Sequence, residues 1–186
     1  MKITVGITGA SGVIYGIRLL EALKETEHHI ALILSDWGRQ TIALETDYSE
    51  ADVRSLADVV YDSRDMAAAV SSGSYGTEAT VIAPCSMKTL AGVANGFSDN
   101  LIVRVADVAL KERRPLILMV RETPLTLIHL RNMTTVTEAG GIILPPMPGF
   151  YHKPETIDDV INQSVGKVFD LLRIPHTLYQ RWGHES

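Results

Sequence analysis

The sequence predicts an α/β protein on a three-layer, doubly wound, mostly parallel sheet. Three observations carry this expectation. Short apolar, β-branched runs alternate along the chain with segments of helical periodicity. The first run, Lys2 to Thr8, is continuously apolar rather than alternating, as in a strand buried on both faces. Strand ends open into loops of Gly, Ser, Thr or Pro that lead straight into helix. At 186 residues the chain suits one domain with a sizeable core, so 1–186 reads as a single domain with 173–186 as a C-terminal tail.

Gly9-Ala10-Ser11-Gly12 breaks the first strand. Val13 to Glu25 follows as a helix, with Val13, Ile14, Ile17, Leu20 and Leu23 on one face and Arg18, Glu21, Lys24 and Glu25 opposite. His29 to Leu34 is a second strand, followed by Ser35-Asp36-Trp37-Gly38 and a helix from about Gly38 to Glu45. Ser49 to Ala57 reads as a short helix, with Ser49 as its cap and Asp52 three residues on. Asp58 to Ser74 is loop-like and ends in a flexible polar turn. Thr80 to Ala83 is the third strand, stopped by Pro84; Cys85-Ser86-Met87-Lys88-Thr89 then leads into helix. After the turn Asn95 to Asn100 come a helix over Leu101 to Arg113, a strand over Leu116 to Val120, a helix over Leu125 to Ala139 and a fifth strand over Ile142 to Leu144. Pro145 to His152 is a proline loop that excludes both helix and central strand. Pro154, at a first helical position, opens the last helix, which reaches about Leu172.

Composition narrows the partners. Net charge is −5, which argues against nucleic acid or an anionic membrane. Hydrophobic content of 46% and a mean hydropathy of +0.11 suggest buried subunit interfaces and hence a homo-oligomer. Cys85 is the sole cysteine, which excludes disulfide frameworks and cysteine metal clusters and fits a reducing cytoplasm. No run reaches transmembrane length and no signal peptide is visible.

A strand, a glycine-rich turn and a helix N-terminus form an anion site, because close backbone N–H groups and the helix dipole favour a phosphate. Ser11 adds a hydroxyl where an N-cap is wanted. A tight βα turn with no ligand is the plainer reading. Gly6, Gly9 and Gly12 form G-x-x-G-x-x-G rather than the dinucleotide fingerprint, so one phosphate suits the loop better than a pyrophosphate. Arg104 and Lys111 lie seven apart on one helix face, and Glu122 lies just past the next strand. Two cations and a carboxylate suit a leaving phosphate and one proton; a surface ion-pair network uses the same spacing. Tyr151 sits in the rigid proline loop, Lys167 on the last helix, and Trp182 in the tail, where core docking competes with capping a site. No G-x-S-x-G elbow, Walker loop, H-E-x-x-H pair or D-D-x-x-D metal motif occurs, and no metal is expected.

Taken together, the motifs Thr8-Gly9-Ala10-Ser11-Gly12, Pro84-Cys85-Ser86-x-x-Thr89-Leu90, Arg104 to Arg113, Arg121-Glu122-x-Pro-Leu, Ile128-His129-Leu-x-Asn132-Met133 and Pro148-x-Phe150-Tyr151 resemble the UbiX-type flavin prenyltransferases. The likeness runs nearly the full chain, through Arg181-Trp182-Gly183, and its Cys-Ser-Met-Lys-Thr loop and Pro-Pro-Met-Pro segment look like the branch associated with phenolic-acid decarboxylases. The resemblance implies a single flavin-binding domain of flavodoxin-like or Rossmann-like fold in a homo-oligomer, often a dodecamer. Such a protein transfers a dimethylallyl group from dimethylallyl monophosphate to N5 and C6 of reduced FMN. The product, prenylated FMN, serves UbiD-type decarboxylases. By position, Gly9, Ala10, Ser11, Ser35, Ser86, Met87, Lys88, Thr89 and Arg121 would hold FMN. Arg104, Lys111, Tyr151 and Lys167 would hold the prenyl phosphate, and Ser11, Glu45, Arg104, Lys111 and Glu122 would take part in the chemistry. Lys167 stands where such proteins often carry Arg, which replaces a bidentate contact by a point charge. Two other readings of the fold are a flavin-dependent cysteine decarboxylase and a non-catalytic flavin-binding accessory subunit. Pro84 to Thr89 and Pro124 to Leu127 lack the P-A-S-A-N-T-like loop and P-x-M-N-x-x-M segment of the first.

Overall fold

The structure, a computed structural model, describes residues 1–183; the last three residues of the expected tail lie outside the described residues. Among the described residues the strands are β1 (Lys2–Ile7), β2 (His29–Leu34), β3 (Val59–Asp62), β4 (Ala79–Cys85), β5 (Leu116–Val120) and β6 (Ile142–Ile143). The helices are α1 (Val13–Lys24), α2 (Asp36–Glu45), α3 (Glu50–Arg54), α4 (Met87–Ala94), α5 (Leu101–Lys111), α6 (Leu127–Glu138) and α7 (Ile157–Leu172). The sheet order is β3-β2-β1-β4-β5-β6, and every pairing is parallel. Strand order therefore reverses between β1 and β4, the place where a doubly wound sheet opens a crevice at its carboxyl edge.

The chain divides into two compact units, the first over Met1–Pro145 and the second beginning at Pro146. In the first, alternation along β1 assigns the layers. Ile7 faces α1, where Gly16 comes so close that an added Cβ would lie 3.0 Å from Ile7 and 2.2 Å from the carbonyl oxygen of Ala83. Gly6 faces the other way, 3.1 Å from Ile102 of α5 by the same construction. On that second face Ile33, Ile82, Leu116 and Leu118 share a core with Leu90 of α4, Ile102 and Ala106 of α5 and Val136 of α6. The second unit holds the proline loop, α7 and the tail. Thr156 and Asp159 form a capping box at the start of α7, and Ile161, Val165, Val168 and Phe169 are its buried stripe.

Four local expectations need correction. Val59–Asp62 is a strand, not loop; it is a half-buried edge of four residues, too short to show a period. Pro84 lies inside β4 rather than ending it, and the β4–β5 register shifts between Ile82 and Cys85, so the proline occupies an irregularity with no ladder bond to donate. Helix α7 begins at Ile157, with Thr156 rather than Pro154 at its start. Ser11 is not the cap of α1: Gly12 is, at φ 94°, a left-handed conformation that favours glycine. Helix α6, at Leu127–Glu138, fills most of the span expected for it and is thinly covered. Of its residues only Val136 is buried, and Leu127, Ile128 and Leu130 are exposed.

Candidate active site

The β1/β4 edge is held by backbone groups of four strand ends and one side chain, that of Thr8. The Thr8 hydroxyl donates to the Pro84 carbonyl at 2.7 Å and accepts from the Ser86 amide at 2.9 Å, so the loops after β1 and β4 are tied together. The Ser35 amide donates to the Ile7 carbonyl at 3.0 Å, and the Arg121 amide to the Cys85 carbonyl at 3.2 Å. Strand ends β2, β1, β4 and β5 are thus laced side by side. Helices α1, α2 and α4 all begin along this edge, which concentrates three positive dipole ends there.

Each helix start is then completed by a side chain. Ser35 caps α2 by accepting from the Gly38 amide at 2.9 Å, and Ser86 caps α4 by accepting from the Thr89 amide at 3.3 Å. Helix α1 is served from outside. Glu45, the last residue of α2, accepts from the Gly12 amide at 2.7 Å and the Val13 amide at 3.3 Å. Partial burial pushes the Glu45 carboxyl upward, but the Ser11 hydroxyl, these two amides and the charge of Arg121 outweigh it and hold the group below its ordinary range. The anion position expected at the first glycine loop is therefore held by the protein's own carboxylate. Glycine spacing gave no sign of this, since Glu45 lies 33 residues from Gly12.

Gly9, Ala10, Ser11, Ser35, Glu45, Ser86, Met87, Lys88, Thr89, Arg121 and Glu122 all lie on or beside this edge. Their side chains do not all face one space. Met87 packs against the core cluster, and Lys88 is paired with Asp99 at 2.9 Å, so only the backbone of these two is offered to the edge. Gly9 lies so near Trp37 that a Cβ there would stand 2.3 Å from that residue's own Cβ, while the Trp37 side chain is largely exposed. The missing Cβ lets the Gly9 backbone pack directly on the Cβ and backbone of Trp37, so the loop after β1 rests on the first turn of α2. Tyr15, on the first turn of α1, belongs here too. Burial raises its phenol above the ordinary value and Arg121 opposes that rise. Sequence reasoning passed over Tyr15, although its position three residues beyond the Gly12 cap was a usable sign.

Arg104 and Lys111 are not brought to this edge together. Helix α5 runs back along the sheet, and Lys111 ends it beside the Gly73 turn that leads into the start of β4. There Lys111 pairs with Glu112, and Arg114 donates to the Gly73 carbonyl at 3.1 Å. The six residues of β1, at about 3.3 Å each, put roughly 20 Å between this end and the Gly9 loop. Arg104 is engaged by Asp107 at 2.7 Å and by the Ser71 carbonyl at 3.1 Å. Within one chain Lys111 therefore does not reach Glu122, because a seven-residue step along the helix carries Lys111 about 10 Å beyond Arg104, away from this edge.

In the second unit, Gln163 of α7 accepts from the Gly149 amide at 2.9 Å and donates to the Tyr151 hydroxyl at 3.4 Å, which holds the proline loop on the helix. Lys167 lies one turn further along the same face. Tyr151 meets Trp182 edge to face at 5.9 Å. Both ring nitrogens of His152 are buried with no hydrogen-bond partner among the described residues. Among the described residues no three His, Cys, Asp or Glu converge as metal ligands, and no helix is long and apolar enough to cross a membrane.

Residues 1–169 match the Flavoprotein family. The flavin prenyltransferase UbiX of Thauera aromatica is 56% identical over 187 aligned positions, covering 100% of this chain and 96% of that protein. A crystal structure of AnUbiX (PadA1) in complex with FMN and dimethylallyl pyrophosphate superposes with a TM-score of 0.97 at 50% identity, covering 100% of this chain and 98% of that one. A dodecameric FMN-dependent UbiX-like decarboxylase from Escherichia coli O157:H7 superposes with a TM-score of 0.97 at 46% identity, covering 99% and 100%.

Proposed function

The chain belongs to the Flavoprotein family, as one of its UbiX-type flavin prenyltransferases, and we propose that the β1/β4 edge is where it prenylates reduced FMN. The observation that carries this placement is the lacing of the Gly9–Gly12 and Ser86–Thr89 loops through Thr8 at the point where strand order reverses. Gly9, Ala10, Ser11, Ser35, the backbone of Ser86 to Thr89 and Arg121 would hold FMN, with Trp37 beside Gly9 as a wall. Reduced FMN supplies the nucleophile. The allylic carbon–oxygen bond of dimethylallyl monophosphate breaks, phosphate leaves with the electron pair, and bonds form to N5 and C6 with loss of one proton.

Residues of this chain bind and orient around that event. Tyr151, Lys167, Arg104 and Lys111 would receive the phosphate, and Glu45 and Glu122 are the carboxylates placed to hold or accept a proton. Because Lys111 stands at the far end of its own sheet, it serves the phosphate of a neighbouring copy in a homo-oligomer. The exposed Leu127, Ile128 and Leu130 of α6 supply apolar surface for such assembly, a dodecamer as in the relative of that description. The proposal takes 1–186 as a single flavin-binding domain with 173–186 as its tail, working in the cytoplasm and passing prenylated FMN to a UbiD-type decarboxylase. Mass spectrometry of the flavin after anaerobic incubation with reduced FMN and dimethylallyl monophosphate tests it. A flavin heavier by one five-carbon unit is expected; unchanged FMN overturns the assignment.

A further inference from the structure

The densest polar cluster of the second unit surrounds a residue with no part in the chemistry above. Asp170, in the last turn of α7, accepts from the Tyr179 hydroxyl at 2.5 Å and from Arg181 at 2.5 Å, and its carboxylate lies 3.1 Å from Nε2 of His176. Lys167 is paired with the same carboxylate at 3.4 Å. Four groups from two segments converge on two oxygens, and the His176 side chain is only 2% exposed. The chain leaves α7 through Arg173 in the left-handed conformation, so everything beyond it turns back toward the helix. The returning tail and the proline loop enclose a cleft of about 500 Å³, lined by Tyr151, His152, Lys153, Arg181 and Trp182 among others. That volume suits a five-carbon phosphate ester with room to spare.

We propose that Asp170 is a positioning residue for the prenyl-phosphate end of the reaction, its carboxylate tying the tail to α7 and so fixing Trp182, Arg181 and Lys167 around Tyr151. This rests on the prenyl-transfer reading above. Trp182 is 80% exposed and has little burial of its own to hold it, so its 5.9 Å contact with Tyr151 depends on what anchors residues 176 to 181. Asp170 also shares its charge between Lys167 and Arg181, which holds two half-exposed cations on the same side of α7 as the tail. The hydrogen bonds of Tyr179, His176 and Arg181 draw the Asp170 carboxyl down to about 2 against the opposing effect of burial, so the clasp stays charged at any working pH.

The Asp170→Asn variant keeps the shape and puts an amide donor where a second acceptor is needed. Three responses are expected together: FMN affinity within about twofold of wild type, kcat within about threefold, and KM for dimethylallyl monophosphate raised about tenfold. Trp182→Ala should raise KM by a similar factor, and the double variant should be no worse than either single one, because both act through the same tail. An unchanged KM, or effects that multiply in the double variant, overturns the proposal. Should Asp170→Asn fail to fold, Tyr179→Phe removes one arm of the clasp and leaves the charge; a KM raised about threefold, with the double variant Tyr179→Phe/Trp182→Ala no worse than Trp182→Ala alone, is then expected, and an unchanged KM or multiplying effects overturn it. A wild-type protein that prenylates nothing refutes the enzymatic reading instead. The clasp is read separately by trypsin cleavage after Arg173 and Arg181, about tenfold faster in Asp170→Asn at unchanged Tm, with equal rates sinking it.

Discussion

Replacing Glu45 by Gln separates a structural from a functional role at the β1/β4 edge. The amide is isosteric and still accepts from the Gly12 amide, now 2.7 Å from a carboxylate oxygen, but it carries no charge toward the α1 N-terminus or Arg121. An anion at a solvent-exposed helix N-terminus contributes about 0.3–1 kcal/mol. Glu45 is exposed enough for solvent to screen its contacts, so about 1 kcal/mol is the upper figure for this substitution. For a chain of this size that lowers Tm by roughly 2–4 °C. The sign of its pH dependence follows. The folded-state carboxyl is held below its ordinary value, so the contribution is fully present above the unfolded pKa of about 4.3 and is lost as pH falls through the lower folded value. Melting curves of the two proteins should differ at pH 7 and converge in acid. On the functional side, a lost charge beside the reacting flavin should slow single-turnover prenylation tenfold or more, which is about 1.4 kcal/mol of barrier or above. Single-turnover rates and Tm values are measured on the same preparations. A Tm lowered as stated with a wild-type rate refutes the catalytic role and leaves Glu45 as the capping anion of α1.

Other consequences follow from the same geometry. Lys111→Met and Glu122→Gln should each lower turnover about a hundredfold with Tm within about 2 °C of wild type. Because Lys111 and Glu122 sit at opposite ends of the sheet, mixed oligomers of the two inactive variants should regain activity; mixtures as inactive as their parents would argue that each chain works alone. Gly16→Ala would set a Cβ 2.2 Å from the Ala83 carbonyl oxygen, a backbone contact that cannot yield without moving β4, so a loss of about 3 kcal/mol and roughly 6–12 °C in Tm is expected from calorimetry. Turnover should survive EDTA, since the phosphate is to be received by Arg, Lys and Tyr; inhibition reversed by magnesium would contradict that.

The order of the main elements was readable from the chain because local physics dictates it. A continuous β-branched run such as Lys2–Ile7 has few alternatives to a buried strand, and Ser49 with Asp52, three residues apart, specifies its own capping box. The two hydroxyl-rich strand-to-helix loops, and their location at carboxyl ends, follow from the same alternation. Where local signals were weak the reading failed. The four residues of Val59–Asp62 become a strand only because β2 offers them an edge, and Pro84 is tolerated in β4 only because the register breaks beside it.

The site divides along the same line. Residue types and their motifs placed Gly9, Ser35, Ser86 and Arg121 in strand-end loops before any coordinates, because the chemistry of such a loop is local. What occupies the α1 amides was decided by the fold, which brings Glu45 back across 33 residues to a helix it does not belong to. The separation of Lys111 from Glu122 was likewise invisible. Periodicity places two side chains on one helix face, but only the direction in which that helix runs over the sheet says which end each one reaches. Sequence order carries short-range geometry, whereas distance between ends of different elements is a property of how they pack.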